Sequence, residues 1–195
     1  MRSAALGALE RADDLCASDL AGAACDPGAS VRRRVAELAA RLGSRSPGDT
    51  APAVTRRRTA LEESLLGLLA DPDDTVTEVA AFALGEVPLE DPPDRAVATP
   101  RRISALAAVA CDHHDPLCRE AAVAALGAIG HPAGLTAVLG ACEDRANVRR
   151  RAVLALASFE GDEVTRMLER LSADRDLQVS QAAADLLEIE AGHHT

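Results

Sequence analysis

The chain has 195 residues, of which 48% are hydrophobic and 27% are charged, and its formal net charge is −10. All 21 basic residues are arginine, which excludes a Schiff-base lysine and a phosphate-loop lysine. The negative charge disfavours a nucleic-acid partner, and two phenylalanines without tryptophan or tyrosine offer no aromatic pairs on which bases could stack.

Other bulk properties predict a cytoplasmic protein without a membrane partner. The chain has no run of 18 uncharged apolar residues that could span a bilayer, and its first apolar run is too short for a secretory signal. Cysteine occurs at an odd number of positions without a tight Cys-x-x-Cys pair, so we expect reduced thiols rather than a disulfide framework. These cysteines are Cys16, Cys25, Cys111, Cys118 and Cys142.

Five segments of the chain repeat one amphipathic helical pattern, which we call helix B. Aligned on one valine-like position, they start at Val31, Val76, Cys118, Val148 and Val179. In all five, positions zero, four, five, seven and eight from that residue are apolar, which predicts a helix with one buried face.

A turn rich in Asp, Pro and Gly precedes each helix B, and another apolar helix, helix A, precedes each turn. The predicted A helices cover residues 14–24, 56–70, 101–111, 133–142 and 163–172. The predicted repeats cover residues 14–43, 55–88, 101–130, 133–160 and 163–190, with Pro-rich insertions at 43–54 and 87–100. Because one helical hairpin cannot bury its apolar face, we expect the repeats to stack into a single domain with a continuous core.

The shared pattern D-x-x-x-x-V-R-x-x-A-A-x-A-L-G-x-I resembles the short bacterial HEAT repeat, including the subtype named after phycobilisome lyases. The resemblance covers residues 14–190. It implies an all-α fold, an α-solenoid wound as a right-handed superhelix of about five HEAT-like helical hairpins.

In the resembled family, a turn acid and the arginine that follows the valine form a hydrogen-bonded ladder between repeats. The arginines that match here are Arg32, Arg119 and Arg149. The turn acids that match best are Asp26, Asp71, Asp115, Asp144 and Asp174. Thr77 and Ser180 replace the arginine, so we expect an incomplete ladder at the second and fifth repeats.

Positions two, six and nine of helix B point away from the predicted core, toward the face that is concave in the resembled family. In the three middle repeats, position six is apolar, and charged residues occupy the two ends of the row. An apolar strip with a polar rim is typical of a partner-binding groove; alternatively, a tightly curled solenoid packs the strip against itself. The candidate binding residues are Arg33, Glu78, Phe82, Glu120, Ala124, Arg150 and Leu154.

Arginine runs at residues 31–35, 55–59, 100–102 and 148–152 lie at helix starts, where a cation opposes the helix dipole. They could hold an acidic or phosphorylated partner, or they could form ion pairs with the turn acids. The sequence favours the ion pairs.

The segment ACDHHDPLC supplies weak candidates for a metal site, namely Cys111, His113 and His114. However, Cys118 occupies the valine position of the core, Cys111 is predicted on the apolar side of helix A, and Asp115 opens an ordinary turn. The sequence therefore favours a turn, and we expect neither a metal nor a cofactor.

No nucleophile–base pair can be proposed from spacing. The sequence therefore predicts a non-catalytic scaffold or adaptor that binds a peptide or helix of a partner protein on the concave helix-B face. The alternative is a lyase-like enzyme, or an accessory subunit of a modifying enzyme, with a ligand in the same groove. The sequence predicts no particular partner and no oligomeric state.

Overall fold

The computed structural model describes residues 1–12, 14–43, 50–87 and 99–193, and these residues form helices joined by turns. The helices are α1 (Arg2–Arg11), α2 (Ala17–Ala23), α3 (Ala29–Leu42), α4 (Ala51–Leu68), α5 (Asp74–Glu86), α6 (Thr99–Asp112), α7 (Pro116–Ile129), α8 (Leu135–Ala141), α9 (Ala146–Leu156), α10 (Asp162–Leu171) and α11 (Leu177–His193). A short 3-10 helix, Pro132–Gly134, leads into α8. None of the described helices is long and apolar enough to cross a membrane.

The predicted all-α fold of helical hairpins is confirmed. Helices α2 to α11 form successive A–B pairs, and the B helices are α3, α5, α7, α9 and α11. Residues 44–49 and 88–98, which form most of the two predicted insertions, lie outside the described residues. Residues 51–54 differ from the prediction because α4 already begins at Ala51. Pro52 is tolerated in that first turn, where the missing N–H would have no helical partner.

Residues 1–102 form one compact unit. In it, α3 packs against α5, α2 packs against α3 and α4, and α4 packs against α5. The side chains that fill its interior are aliphatic and of medium size, because neighbouring helices approach closely. They include Leu20, Val35, Leu38, Leu61, Leu65, Val76 and Leu84.

Helix α1 lies outside the predicted repeats, yet it packs against α3 as α3 packs against α5. Arg2 at its start donates from Nε and Nη2 to the two carboxylate oxygens of Asp26, at 2.6 and 2.9 Å. Helix α1 therefore packs against α3 in the way that a further B helix would. The sequence signal was present, because Met1 to Ala12 repeats the apolar spacing of helix B with an arginine at position one.

A buried arginine links the first turn of α6 to α4 and to the end of α5 within this unit. Arg102 is only 2% exposed and donates to both carboxylate oxygens of Glu62 on α4, at 3.1 and 2.6 Å. Its Nη1 also donates to the carbonyl oxygens of Leu84 and Val87 at the end of α5, at 3.2 and 3.0 Å. A cation at this place satisfies carbonyls that the helix end leaves without partners.

Residues 103–195 form the second compact unit, which α6 enters at Ile103. In it, α7 packs against α9, α9 packs against α11, and the A helices α8 and α10 pack against the B helices. The interior is again aliphatic. It includes Leu106, Leu126, Val138, Leu156, Leu168 and Val179.

The predicted core positions of helix B are confirmed in α3, α5, α7 and α9, where positions zero, four, five, seven and eight are all buried. In α11, Val179 and Ala183 are buried, whereas Leu186 and Leu187 are half-buried. Equivalent positions therefore have equivalent environments in α3, α5, α7 and α9, as a solenoid requires, and α11 keeps only part of this burial.

Candidate functional site

Arg32 links two successive hairpins of the first unit. Its Nε and Nη2 donate to the two carboxylate oxygens of Asp71, at 2.6 and 2.8 Å, and its Nη1 donates to the carbonyl oxygen of Asp26 at 2.8 Å. The arginine thus closes the turn of its own hairpin and holds the acid of the next. Such paired, charge-assisted bonds are among the stronger hydrogen bonds in proteins.

The same geometry recurs twice in the second unit. Arg119 donates to both carboxylate oxygens of Asp144, at 2.6 and 2.8 Å. Arg149, which is 6% exposed, donates to those of Asp174, at 3.0 and 2.9 Å. It also donates to the carbonyl oxygen of Asp144, at 2.8 Å. The arginine ladder implied by the repeat pattern is therefore present in both units.

One predicted turn acid is wrong. Asp115 does not occupy the place of Asp26; His113 does, because its carbonyl oxygen accepts from Arg119 at 2.7 Å as that of Asp26 accepts from Arg32. Asp115 instead caps α7, where its carboxylate accepts the N–H of Leu117 at 2.7 Å. The turn contains two positions that favour Asp. Asp115 occupies the second of them, whereas the ladder uses the first.

The two predicted departures from the ladder are short hydroxyl residues that bond within their own hairpin. Thr77 is fully buried, and its Oγ1 donates to the carbonyl oxygen of Asp71 at 3.4 Å. The Oγ of Ser180 donates to the carbonyl oxygen of Leu177 at 3.2 Å. Neither hydroxyl has the reach of a guanidinium, so the ladder is incomplete at these positions as expected.

The arginines of the ladder lower the pKa values of the aspartates that they bind. A hydrogen bond from the paired arginine is the main cause that lowers the pKa of Asp71, Asp144 and Asp174, and partial burial opposes it. Asp26 behaves alike, since Arg2 is the chief cause of its lowered pKa. These carboxylates are therefore ionised at neutral pH and their charge is already balanced by arginine.

The outward face of the B helices in the first unit exposes one large apolar side chain. Phe82 of α5 is 55% exposed. Beside it, the half-buried Glu78 forms no ion pair with another described residue. On α3, Arg33 and Arg34 share Glu37, with nitrogen–oxygen distances of 3.4 and 2.9 Å. The predicted contact residue Arg33 is thus exposed but already has an acidic neighbour.

The corresponding face of the second unit exposes Leu154 of α9, also to 55%. The predicted contact residues beside it are engaged within the protein. Glu120 accepts from Nδ2 of Asn147 at 2.9 Å and lies 3.5 Å from Nη2 of Arg151. Arg150 donates to Asp176 at 3.1 Å, an ion pair with a turn acid of the kind that the sequence favours for the arginine runs. The fourth predicted contact, Ala124, is half-buried.

Gly127 occupies position nine of α7, one of the positions predicted to point away from the core, but it is buried. A Cβ built on it would lie 2.6 Å from Cβ and 2.8 Å from Cα of Ala155 on α9. Helices α7 and α9 therefore approach too closely for any larger residue here.

The weak metal candidates Cys111, His113 and His114 lie close together in the sequence but have different surroundings. The rings of His113 and His114 are stacked with centroids 4.7 Å apart, and the N–H of Asp115 donates to Nδ1 of His113 at 3.2 Å. Cys111 is exposed, contrary to its predicted place on the apolar side of α6, whereas Cys118 is buried as expected. Cys111, His113 and His114 therefore stay weak candidates only, and the expectation of no metal stays a prediction.

A cavity of about 430 Å³ lies beside the last ladder pair in the second unit. Its lining includes Arg149, bound to Asp174, and Arg170, bound to Glu143. Burial raises the pKa of the Cys142 thiol to about 12, so this thiol is protonated at neutral pH and is a poor nucleophile. The cavity wall thus carries two ion pairs and an inert thiol, together with Arg175 and the apolar residues Leu171 and Ala173.

Comparisons with known proteins agree with this architecture. The profile of a family described as HEAT repeats matches residues 61–147 and, overlapping them, residues 103–188. A comparison with curated proteins found no match.

Among solved structures, an engineered protein from a structural genomics consortium is similar over 95% of this chain and 84% of its own, with a TM-score of 0.66 and 20% identity. A designed armadillo repeat protein in complex with the peptide (KR)4 is similar over 93% of this chain and 85% of its own, with a TM-score of 0.63 and 19% identity. A computationally designed armadillo repeat protein for modular peptide recognition has a TM-score of 0.60 at 19% identity, over 94% and 84% of the two chains. These likenesses show a repeat-solenoid fold.

Proposed function

Because this chain belongs to the HEAT repeat family, we propose that it is a non-catalytic binding module that receives a peptide or helix of a partner protein on its B helices. The observation that carries the proposal is the exposure of Phe82 and Leu154, each 55% exposed at position six of a B helix. The core positions of the same helices are buried, so these side chains are not needed inside the protein. Large apolar residues kept at such places favour a contact with another molecule.

The surroundings of these two residues support an adaptor rather than an enzyme. The arginines near them form ion pairs within the protein, including Arg33 with Glu37 and Arg150 with Asp176. A face whose arginines are already paired suits binding, and positions two, six and nine of the described B helices hold no serine, cysteine or histidine that could serve as a nucleophile. A cytoplasmic location and a protein partner, rather than nucleic acid, belong to the same proposal. The phycobilisome-lyase subtype and the enzymatic alternative stay predictions from the repeat pattern.

The proposal is tested by affinity capture with Phe82→Glu and Leu154→Glu. Both side chains are exposed, so we expect unchanged melting temperatures and at least a tenfold loss of the proteins that co-purify with the wild type, quantified by mass spectrometry. Leu177→Glu is the matched control, because Leu177 is exposed at the start of α11 but lies outside positions two, six and nine. If both variants retained every wild-type partner at wild-type yield, these faces would not be the binding surface.

A further inference from the structure

The second unit is acidic, and most of its arginines are already paired. Residues 103–195 contain 8 arginines and 14 aspartates and glutamates. Five arginines form ion pairs with acids of the same unit. These pairs are Arg119–Asp144, Arg149–Asp174, Arg150–Asp176, Arg151–Glu120 and Arg170–Glu143. The charge that remains for an incoming molecule is therefore predominantly negative.

Among the described residues of this unit, α11 carries two unpaired charges on the B-helix face. Asp185 and Glu188 occupy positions six and nine of that helix, and both are exposed. Neither side chain forms an ion pair or a hydrogen bond with another described residue of this unit. By contrast, the nearest arginine of the face, Arg150, is held by Asp176. Leu154 is thus flanked on the α11 side by free carboxylates.

The spacing of these groups suits an extended peptide. Leu154 and Asp185 occupy the same repeat position on α9 and α11, which pack side by side. Packed helices lie roughly 8–10 Å apart. A peptide in the polyproline II conformation advances roughly 3.1 Å per residue and completes a turn every three residues. Two of its side chains three residues apart therefore point to the same side at a spacing that matches the two positions.

From this arrangement we infer that the second unit binds a basic peptide segment. An apolar side chain of the segment packs on Leu154, and a lysine or arginine three residues away pairs with Asp185 and Glu188. The inference rests on the proposed function, because it names the partner chemistry of the same face. A second copy of this chain fits worse, since its net charge of −10 would bring further negative charge to the acids.

The test uses two fluorescein-labelled peptides, (Leu-Ser-Gly-Arg)3 and (Leu-Ser-Gly-Glu)3, and fluorescence anisotropy with the full chain. The peptides share apolar content and spacing and differ only in the sign of their charge. We expect the wild type to bind the arginine peptide at least tenfold more tightly at 50 mM salt, and the preference to shrink at 500 mM salt because exposed ion pairs are screened.

Two variants locate the binding. The double substitution Asp185→Asn with Glu188→Gln reduces the preference for the arginine peptide about tenfold, and Leu154→Ala weakens binding of both peptides. Glu163→Gln with Glu169→Gln is the matched control, because it removes two exposed acids from the A helix α10 and is expected to bind as the wild type does. Circular dichroism verifies that each variant is folded.

The outcomes separate this inference from the proposed function. If the two peptides bind with equal affinity and binding still depends on Leu154, the inference of a basic partner is overturned. The proposed binding face is then retained. Failure of both peptides to bind overturns the inference as well. A dimer in sedimentation velocity that Leu154→Ala dissociates would instead assign the face to a second copy of the chain.

Discussion

Gly127 shows how a single missing side chain decides the distance between two helices. Its buried place against Ala155 leaves no room for a Cβ. Alanine is the better helix former by about 1 kcal/mol, so the choice of glycine reflects packing rather than helix stability. The residue was predicted to be outward because periodicity gives the direction of a side chain but not how closely the neighbouring helix approaches.

We expect Gly127→Ala to destabilise the protein by about 1–3 kcal/mol, because the backbone of α9 must move to admit the new methyl group. Gly140→Ala is the control, since Gly140 is helical and a Cβ there meets nothing within 4 Å. That variant should be neutral or more stable. Urea unfolding of the two variants measures the difference, and equal stabilities would argue against the close approach.

At the scale of helices and turns, the paired arginines and aspartates are the main electrostatic feature. The folded protein holds the pKa of Asp144 below its usual value, chiefly through the hydrogen bond from Arg119. A carboxylate with a lowered pKa stabilises the fold above its unfolded pKa of about 4, and this stability is lost as the pH falls through the folded pKa. The ladder should therefore make the protein sensitive to acid rather than to base.

Asp144→Asn tests this pH dependence. At pH 7 the substitution should cost about 2 kcal/mol, since it removes charge-assisted bonds to a partly buried arginine. Between pH 5 and pH 2 the free energy of unfolding should then fall less steeply than in the wild type. Glu169→Gln, at an exposed acid of α10, should leave the slope unchanged. A wild-type slope in Asp144→Asn would show that the ladder does not control acid stability.

Much of the helix and turn structure was predictable from the sequence, and the predictions that were wrong have physical causes. The apolar spacing from Val31 or Val148 identifies the buried face because a helix has a fixed period. The turn residue that accepts from the arginine was harder to predict, because the turn holds two positions that favour Asp and His113 occupies the first of them. Helix α1 was missed because the repeat was recognised by the acidic turn ahead of helix B, although Arg2 matches the ladder arginine.

At the scale of the whole molecule, a solenoid is held together mainly by contacts between neighbouring repeats. Damage should therefore remain local. Arg102 offers a test within residues 1–102, because it is buried and joins Glu62 to the end of α5. Removing one partner of a buried ion pair is strongly destabilising, by roughly 3–5 kcal/mol.

We expect Arg102→Ala to lower hydrogen-exchange protection in α4 and α5 far more than in α9 and α11. Arg101→Ala is the matched control, since Arg101 pairs with Glu63 at an exposed position where an ion pair contributes about 0.2–1 kcal/mol. A uniform loss of protection along the chain would mean that the molecule unfolds as one cooperative body.

The binding faces were only partly predictable at this scale. Periodicity identified Phe82 and Leu154 as outward, and both are exposed. It could not show that Arg150 is held by Asp176, because that pair joins residues of different helices. Which charges are free for a partner depends on such pairs, and only the three-dimensional arrangement reveals them.

The way each arginine binds has a consequence for how such a chain can change over generations. Arg32 and Arg149 each reach forward to the aspartate of the following hairpin, so a hairpin typically offers a donor ahead and an acceptor behind. A duplicated copy with both groups would fit between two existing hairpins without any new contact being invented. Length can therefore vary by whole hairpins, while a hairpin that lacks either group, as with Thr77 or His113, would be a poorer template for copying.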